Sequence, residues 1–344
     1  SLDRRQRQMC IRDSLLAYWL TGNAKVERTV ASTSQLLSPV THDWAWEVID
    51  GLGLPRGIFG EVVPAGTVLG ALRKEVADEI GAEFEIPVIA TASHDTASAV
   101  AGIPGEGSYA WISSGTWAII GSELAAPILD EAALEAGFAN EQGVDNTTRF
   151  LCNISGLWLI QECKRQWAKE GEDHDYEALT ALSVEAPAFT AFVDPDDAVF
   201  AAPGEMPAKI QAYCERTGQT VPGSKGHILR VATESIALKH QVRFEQLKKL
   251  AGQQIERIHM GGGGIQNELL VQAIADACGV PVHAGPIEAT ACGNLITQMV
   301  ATGKLPDTAA GRALIRSSLP LKTFEPKGHA EWDGPSERFA RLLT

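Results

Sequence analysis

The sequence is poor in the features that mark membrane, secreted and metal-binding proteins. No run of about 18 apolar residues, the minimum for a membrane-spanning helix, occurs in the chain, and no secretory signal peptide is recognisable. The six cysteines show neither C-x-x-C spacing nor a histidine at zinc-binding spacing. We therefore predict a cytoplasmic protein with reduced thiols, and we assign no metal ligands from the sequence.

Positive charge is also scarce. Lysine and arginine number 29 against 43 aspartates and glutamates, which gives a formal net charge of −14. Nucleic acids and anionic membranes would repel such a chain, so we expect neither as a partner. A small anionic ligand is compatible with this charge, because backbone amides and helix N-termini bind phosphate groups whatever the net charge.

What is present is the composition of an ordinary globular protein, with 45% hydrophobic and 21% charged residues. A chain of 344 residues predicts about two domains. Residues 1–14 are rich in arginine, lack apolar periodicity and resemble translated vector or adapter sequence, so we interpret them as a non-native segment. The Pro- and Gly-containing stretch 103–107 predicts a domain boundary, with a first domain over 15–103, a second over 104–330 and a tail over 331–344.

The stretch over 86–116 organises the chain. It begins with a short apolar run, continues through the polar cluster SHDT at 93–96 and then becomes rich in small residues. This order predicts a strand, a tight turn and the start of a helix, and in α/β folds such turns lie where ligands bind. Two interpretations of Asp95 are open. It caps the helix, whose first N–H groups lack partners, or it acts as a general base.

A second polar turn, SGT at 114–116, joins two predicted strands over 108–113 and 117–122. Two polar turns so close in sequence indicate two walls of one cleft. The residues that follow, 125–147, show little periodicity and predict a loop. The segment 187–204, rich in Phe, Asp and Pro, is expected at the surface.

A short strand over 150–153 and a helix over 155–170 are expected between these two irregular segments. Asn153 and Gln161 are eight residues apart, a little over two helical turns. We therefore predict that both amides lie on one face of this helix. If that face borders a ligand, the two amides would bind it together.

The apolar run over 255–260 is followed by four glycines at 261–264, a predicted helix over 268–278 and a strand over 280–284. This order predicts a βαβ unit with an exposed turn. Glycine has no Cβ, so a flat ligand or a phosphate can approach the main chain closely. The alternative is a loop that needs positive φ, but the position between strand and helix favours a nucleotide. Small residues in 288–302 predict close helix packing.

Five motifs together resemble the FGGY family of carbohydrate kinases in order and spacing: SHDTASAV, SSGTW, NISGLWLIQE, GGGGIQN and GPIEATACGN. The resemblance extends over residues 15–324. It implies an α/β fold with two RNase H-like (actin-like ATPase) domains that flank a cleft, the first binding the sugar and the second ATP. The family's first phosphate-binding hairpin, an Asp-x-Gly turn, is not found in this sequence, so the first domain is expected to be incomplete here.

The resemblance also implies roles for individual residues. Asp95 would be the catalytic base, and His94, Asp95 and Thr96 would bind the sugar. The implied ATP-binding residues are Thr116, near the phosphates, Asn153, Gln161 and Gly263, on the adenine side. A base is useful because a sugar hydroxyl is a poor nucleophile until it loses its proton. Phosphoryl transfer also needs charge neutralisation, so the expected cofactors are ATP and Mg²⁺.

Within the family, the motifs are most similar to the members that phosphorylate L-rhamnulose at its 1-hydroxyl. That ketose and ATP are the expected partners. Two alternatives stay open at this point. One is another sugar kinase of the family, acting on xylulose, fuculose or a related polyol, and the other is a truncated, inactive nucleotide-binding module. The sequence leaves the oligomeric state open.

Overall fold

A computed structural model describes residues 14–343. The helices of these residues are α1 (14–21), α2 (Arg28–Ser32), α3 (Trp46–Gly51), α4 (Lys74–Glu79), α5 (Asp95–Gly102), α6 (Glu131–Glu135), α7 (Trp158–Lys169), α8 (Tyr176–Glu185), α9 (Met206–Arg216), α10 (Lys225–Ala251), α11 (Glu268–Cys278), α12 (Ala289–Ala301), α13 (Thr308–Ser318) and α14 (Asp333–Leu342). The strands are β1 (Lys25–Glu27), β2 (Glu61–Val63), β3 (Thr67–Ala71), β4 (Pro87–Ala90), β5 (Ala110–Ser114), β6 (Trp117–Leu124), β7 (Ala139–Gln142), β8 (Thr148–Ser155), β9 (Ile258–Gly261), β10 (Val282–Ala284) and β11 (Lys322–Phe324). Their alternation confirms the predicted α/β class. Across residues 14–343, no helix is both long and apolar enough to cross a membrane.

The described residues divide into two compact units that are discontinuous in sequence. The first unit comprises residues up to 105, 122–151 and 288–320, and the second comprises 106–121, 152–287 and the residues from 321 on. The segment interpreted as non-native lies outside the described residues except for Ser14. Helices α12 and α13 return to the first unit late in the chain, an arrangement that a single sequence boundary does not represent.

Short paired strands form the framework of the first unit. β1 pairs in parallel with β2, β3 pairs antiparallel with β4, and β7 pairs antiparallel with residues 148–151 of β8. The prediction that residues 125–147 form a loop is wrong, because they contain α6 and β7. β7 is held by hydrogen bonds to β8, and pairing of this kind leaves no helical or alternating signal in so short a segment.

Helix α5 carries the polar cluster at its N-terminus and crosses α12 at very short range. A Cβ on Gly293 would overlap the carbonyl oxygen of Ser98, and a Cβ on Gly102 would lie 2.7 Å from the backbone nitrogen of Gly293. The Ser98 hydroxyl also donates to the carbonyl of Thr290 at 2.9 Å. The small residues of α12 therefore serve close helix packing, as the sequence predicts.

The C-terminal end of α5 is held by α13. Arg312 donates to the carbonyl of Val100 at 3.0 Å and to the carboxylate of Glu123 at 2.6 Å. Arg316 donates to the carbonyl of Pro104 at 3.0 Å. Cationic donors are favourable there because the last carbonyls of a helix lack partners and carry partial negative charge. Helix α5 is thus fixed along one face and at its C-terminus.

The second unit is built on a mixed sheet with the strand order β11-β10-β9-β5-β6. β5, β9 and β10 run parallel to one another, whereas β6 and β11 are antiparallel to their neighbours. The glycine segment follows the predicted order, since β9 ends at Gly261, a 3₁₀ turn spans Gly263–Gln266, and α11 leads on to β10. The sequence prediction of a strand, glycine turn, helix and strand is confirmed.

The segment 187–204 is only partly a surface segment, and the prediction is wrong for its large apolar side chains. Phe192 and Phe200 are buried. The segment is not paired as a strand, and side chains make hydrogen bonds with its backbone groups instead. For example, the N–H of Phe192 donates to Oε1 of Gln219 at 2.8 Å. An irregular segment can be buried in this way because each of its polar groups still finds a partner.

Candidate active site

The polar cluster lies where β4 ends and α5 begins. His94 occupies the N-cap position without a capping bond from its side chain, and Asp95 is the first residue of the helix. Oδ1 of Asp95 accepts the N–H of Thr96 at 2.6 Å and lies 3.3 Å from the Thr96 hydroxyl. The Asp95 side chain is 56% exposed, whereas Thr96 is buried. The carboxylate therefore satisfies one N–H of the helix and also faces solvent, where a ligand could reach it.

Glu27, which sequence reasoning did not single out, ties this turn to the start of α2. Its buried carboxylate accepts the N–H of Thr29 at 2.9 Å, the Thr29 hydroxyl at 2.5 Å and the N–H of Ser93 at 3.1 Å. The hydroxyl oxygen of Thr29 in turn accepts the N–H of His94 at 3.2 Å. Burial raises the pKa of Glu27, against the hydrogen bonds from Thr29 that lower it. The backbone just before Asp95 is thus fixed by a distant carboxylate.

The imidazole of His94 lies in a buried charged cluster. Its Nδ1 lies 3.1 Å from Nη2 of Arg149 and 3.3 Å from Oε2 of Glu141, and its Nε2 lies 3.5 Å from Oδ1 of Asp95. The fully buried Arg149 also donates to Oε2 of Glu141 at 2.8 Å and to the carbonyl of Gln142 at 3.0 Å. Burial would raise the pKa of Glu141, but Arg149 and His94 lower it to about 2. Glu141 is therefore ionised and compensates the buried charge of Arg149.

Glu141 and Arg149 were also missed from the sequence. Arg149 is the one charged residue of the largely buried strand TRFLCNIS, and a charged residue in a buried strand is rarely found without a partner. That interruption is the signal that could have found it. Its partner Glu141 lies directly opposite in the β7–β8 ladder, and only the strand pairing identifies it.

In the second unit, Thr116 lies in the turn between β5 and β6. The N–H of Leu157 donates to the carbonyl of Gly115 at 3.0 Å, and the N–H of Trp158 donates to the carbonyl of Thr116 at 3.1 Å. The start of α7 therefore uses its first N–H groups to hold this turn, and these groups would otherwise lack partners. The turn that carries Thr116 is a fixed element of the second unit.

Helix α7 begins at Trp158, so the prediction that Asn153 and Gln161 share one face of a helix is wrong. Asn153 lies in β8 with its side chain exposed, and Gln161 lies in the first turn of α7 and is half-buried. Strand pairing extends β8 to Ser155, where the apolar spacing suggested a helix. The two amides lie on separate elements, and their role in ATP binding stays a prediction.

Within the glycine segment 261–264, Gly262 and Gly263 differ in what an added side chain would meet. Gly262 has φ +90°, and a Cβ there would lie 2.6 Å from the carbonyl oxygen of Ser114, so the fold itself excludes a side chain. Gly263 is exposed, does not have a left-handed φ, and a Cβ there would meet no atom within 4 Å apart from its chain neighbours. The positive-φ explanation therefore applies to Gly262 and not to Gly263.

Ion pairs to the buried ammonium of Lys239, which the sequence did not predict, support the end of β8. Asp196 accepts the N–H of Ser155 at 2.8 Å, and its other oxygen lies 3.2 Å from Nζ of Lys239. Nζ of Lys239 also lies 2.7 Å from Oδ1 of Asp194. Two carboxylates around one buried ammonium satisfy its charge. This cluster fixes the connection that leads from β8 into α7.

Within residues 14–343, no group of three or more His, Cys, Asp or Glu side chains is arranged to hold a metal ion. Mg²⁺ that accompanies ATP keeps several waters and binds phosphate oxygens with only one or two carboxylates. No protein ligand of Mg²⁺ is therefore assigned.

Comparison with known proteins shows the class to which this fold and polar turn belong. Residues 110–302 match the C-terminal domain of the FGGY family of carbohydrate kinases, and residues 2–102 match the N-terminal domain of the same family. The chain belongs to this family of sugar kinases, which confirms the resemblance of its motifs.

The particular relatives are rhamnulokinases. The chain is 42% identical over 329 residues to the rhamnulokinase of Bacteroides thetaiotaomicron, covering 95% of this chain and 67% of that protein. It is also 42% identical to the rhamnulokinase of Enterococcus faecalis, covering 92% of this chain and 64% of the relative. The chain thus spans about two thirds of the length of these relatives.

Solved structures of other kinases share the fold. Ligand-bound xylulose kinase from Lactobacillus acidophilus has a TM-score of 0.76 at 14% identity, covering 96% of this chain and 65% of that one. Plasmodium falciparum glycerol kinase with ADP has a TM-score of 0.74 at 16% identity, with the same coverage. At such low identity these likenesses show the fold alone, which is the two-domain α/β architecture expected from the motifs.

Proposed function

We propose that this chain transfers the γ-phosphoryl group of ATP to the 1-hydroxyl of L-rhamnulose. The observation that carries the proposal is its similarity to rhamnulokinases, at 42% identity over 95% of the chain. The geometry around Asp95 agrees with it, because an exposed carboxylate on a rigid helix start suits a general base. The likeness to xylulose and glycerol kinases carries no weight for the choice of sugar.

Asp95 takes the proton in the proposed reaction. As the sugar O1 forms its bond to the γ-phosphorus, the O1–H bond breaks and the proton moves to the Asp95 carboxylate, while the bond from the γ-phosphorus to the ADP oxygen breaks. One Asp95 oxygen is oriented by the N–H of Thr96. His94 and Thr96 are proposed to bind the sugar together with Asp95. The hydrogen bonds of Glu27 to Thr29 and Ser93 keep the preceding backbone in place.

ATP is proposed to bind in the second unit through Thr116, Asn153, Gln161 and Gly263. The fixed Thr116 turn and the exposed, unhindered Gly263 support this, because phosphate and base need close approach to the main chain. Mg²⁺ would enter with ATP and neutralise phosphate charge. We place the reaction in the cytoplasm, in agreement with the free thiols of the described cysteines.

The test is a coupled assay of ADP release with L-rhamnulose, L-fuculose and D-xylulose, together with calorimetric binding of each ketose and of ATP. Binding is measured as well as turnover because the chain spans about two thirds of its relatives' length. We expect L-rhamnulose to give the highest kcat/KM and the tightest binding. A preference for xylulose or fuculose would assign another sugar, and ATP binding without any ketose binding would favour the nucleotide-binding module.

A further inference from the structure

A short contact between two nitrogen atoms indicates where the imidazole proton beside Asp95 lies. Nη2 of Arg149 and Nδ1 of His94 are hydrogen-bonded at 3.1 Å. A guanidinium stays protonated in proteins and has no acceptor atom. When Arg149 donates in this contact, Nδ1 is the ring nitrogen without a hydrogen. In a neutral imidazole the proton then lies on Nε2, the nitrogen that faces Oδ1 of Asp95 at 3.5 Å.

We propose that Arg149 holds His94 as the neutral Nε2–H tautomer and so presents an N–H donor next to the Asp95 carboxylate. Arg149 is then a positioning residue, because it acts through His94 and touches no substrate. The inference rests on the proposed function in one respect only, namely that the donor serves a bound ketose. The position of the proton is inferred from the contact between Arg149 and His94 and does not depend on the substrate.

Glu141 is the group that competes with this arrangement. Its Oε2 lies 3.3 Å from Nδ1 of His94 and would accept a hydrogen from that nitrogen, a contact that contributes, after the charge of Arg149, to the lowered pKa of Glu141. The same oxygen already accepts from Arg149 at 2.8 Å. Nη2 of Arg149 lies closer to Nδ1 than the carboxylate does, so the N–H groups of the guanidinium would repel a hydrogen on Nδ1. Arg149 therefore decides which nitrogen carries the proton.

Charged groups on several elements influence which ring nitrogen of His94 carries the hydrogen. The groups that face His94 or act on Arg149 are Arg149 on β8, Glu141 on β7, Asp95 on α5, Glu27 before α2 and Glu123 on β6. Without Arg149, Glu141 is the remaining partner of Nδ1, and the proton should move to that nitrogen.

The Nε2–H tautomer suits the proposed reaction. While Asp95 takes the proton of the hydroxyl that is phosphorylated, the adjacent N–H of His94 can donate to a neighbouring sugar oxygen. The opposite tautomer would turn a lone pair towards the Asp95 carboxylate and would offer the sugar an acceptor instead. The choice of tautomer therefore sets which hydrogen bonds the ketose can make.

The experiment is nuclear magnetic resonance of the chain labelled with isotopic nitrogen in its eight histidines, at neutral pH and without substrate. Two-bond proton–nitrogen correlations distinguish the two tautomers and the imidazolium. His240 is an internal control, because its Nδ1 lies 2.8 Å from the carbonyl of Ile236, which only accepts, and burial lowers the pKa of His240. We expect His240 as Nδ1–H and His94, assigned with a His94→Gln variant, as Nε2–H.

The matched variants are Arg149→Met, which removes charge and donors, and Arg149→Lys, which keeps both. We expect Arg149→Met to move the His94 proton to Nδ1 or to give the imidazolium, and Arg149→Lys to retain Nε2–H. A wild-type His94 with a proton on Nδ1 would overturn the inference, as would an Arg149→Met chain that keeps Nε2–H. If Arg149→Met does not fold, the wild-type spectrum decides. A chain with the expected tautomer that fails to bind L-rhamnulose would contradict the proposed function and leave the tautomer standing.

Discussion

Asp95 has two proposed roles, as an acceptor for an N–H at the start of α5 and as the general base. An amide can perform the first role but not the second, so a substitution distinguishes them. Asp95→Asn retains an oxygen for the N–H of Thr96, so the unfolding temperature should hardly change. An amide cannot take the proton of the sugar hydroxyl, so kcat should fall by roughly 100-fold or more while both ligands still bind. The measurements are kcat, calorimetric affinities and thermal unfolding. A variant that turns over at nearly the wild-type rate would remove Asp95 from the mechanism and leave His94 as the next candidate.

Gly263 offers a test of the nucleotide site in which the fold is not disturbed. A side chain there meets no protein atom within 4 Å, so Gly263→Val should fold normally and lose ATP affinity at least several-fold through contact with the bound nucleotide. Gly57 is a matched control, since it also lies in a 3₁₀ helix with no atom near its missing Cβ. Calorimetry should show unchanged ATP binding for Gly57→Val. Equal affinities for both variants would place the nucleotide elsewhere.

At the scale of elements, the crossing of α5 and α12 depends on the absence of a methyl group. Gly293→Ala would press a Cβ into the Ser98 carbonyl, and such overpacking costs about 1–3 kcal/mol of the free energy of unfolding. Gly51→Ala, at the end of α3 where a Cβ would meet no atom within 4 Å, should instead change the free energy of unfolding little, because the backbone there is helical and the space is open. Chemical denaturation measures both. Equal shifts for the two variants would contradict the assigned role of the crossing.

Elements with a strong local signal could be predicted from the sequence, and elements made by pairing could not. Helix α11 and the glycine turn before it have apolar spacing and glycine punctuation, and both were predicted. Strand β7 pairs with residues 148–151 of β8, and the sequence predicted neither β7 nor the start of β8. The same division applies to the site. The SHDT turn is a local motif, but Glu141 and Arg149 meet only across the ladder.

At the scale of the whole molecule, the two family matches divide the chain at other positions than the two compact units do. The two family matches are continuous, over residues 2–102 and 110–302, whereas the first compact unit gathers three separate segments. Proline and glycine in a sequence indicate where a helix or strand ends. They do not indicate that a later segment of the chain packs in an earlier unit. The packing of α12 and α13 in the first unit could therefore not be read from the boundary at 103–107.

The contact between Ser98 and Thr290 joins residues 192 positions apart, which has a consequence for the newly made chain. Ribosomes add about 5–20 residues per second, so α5 waits roughly 10–40 s before α12 has been synthesised. During that interval Ser98 and Gly102, which lie against α12 in the finished protein, have no α12 beside them. A nascent chain arrested within α10 already contains the proposed catalytic aspartate, but on a helix whose packing partner does not yet exist.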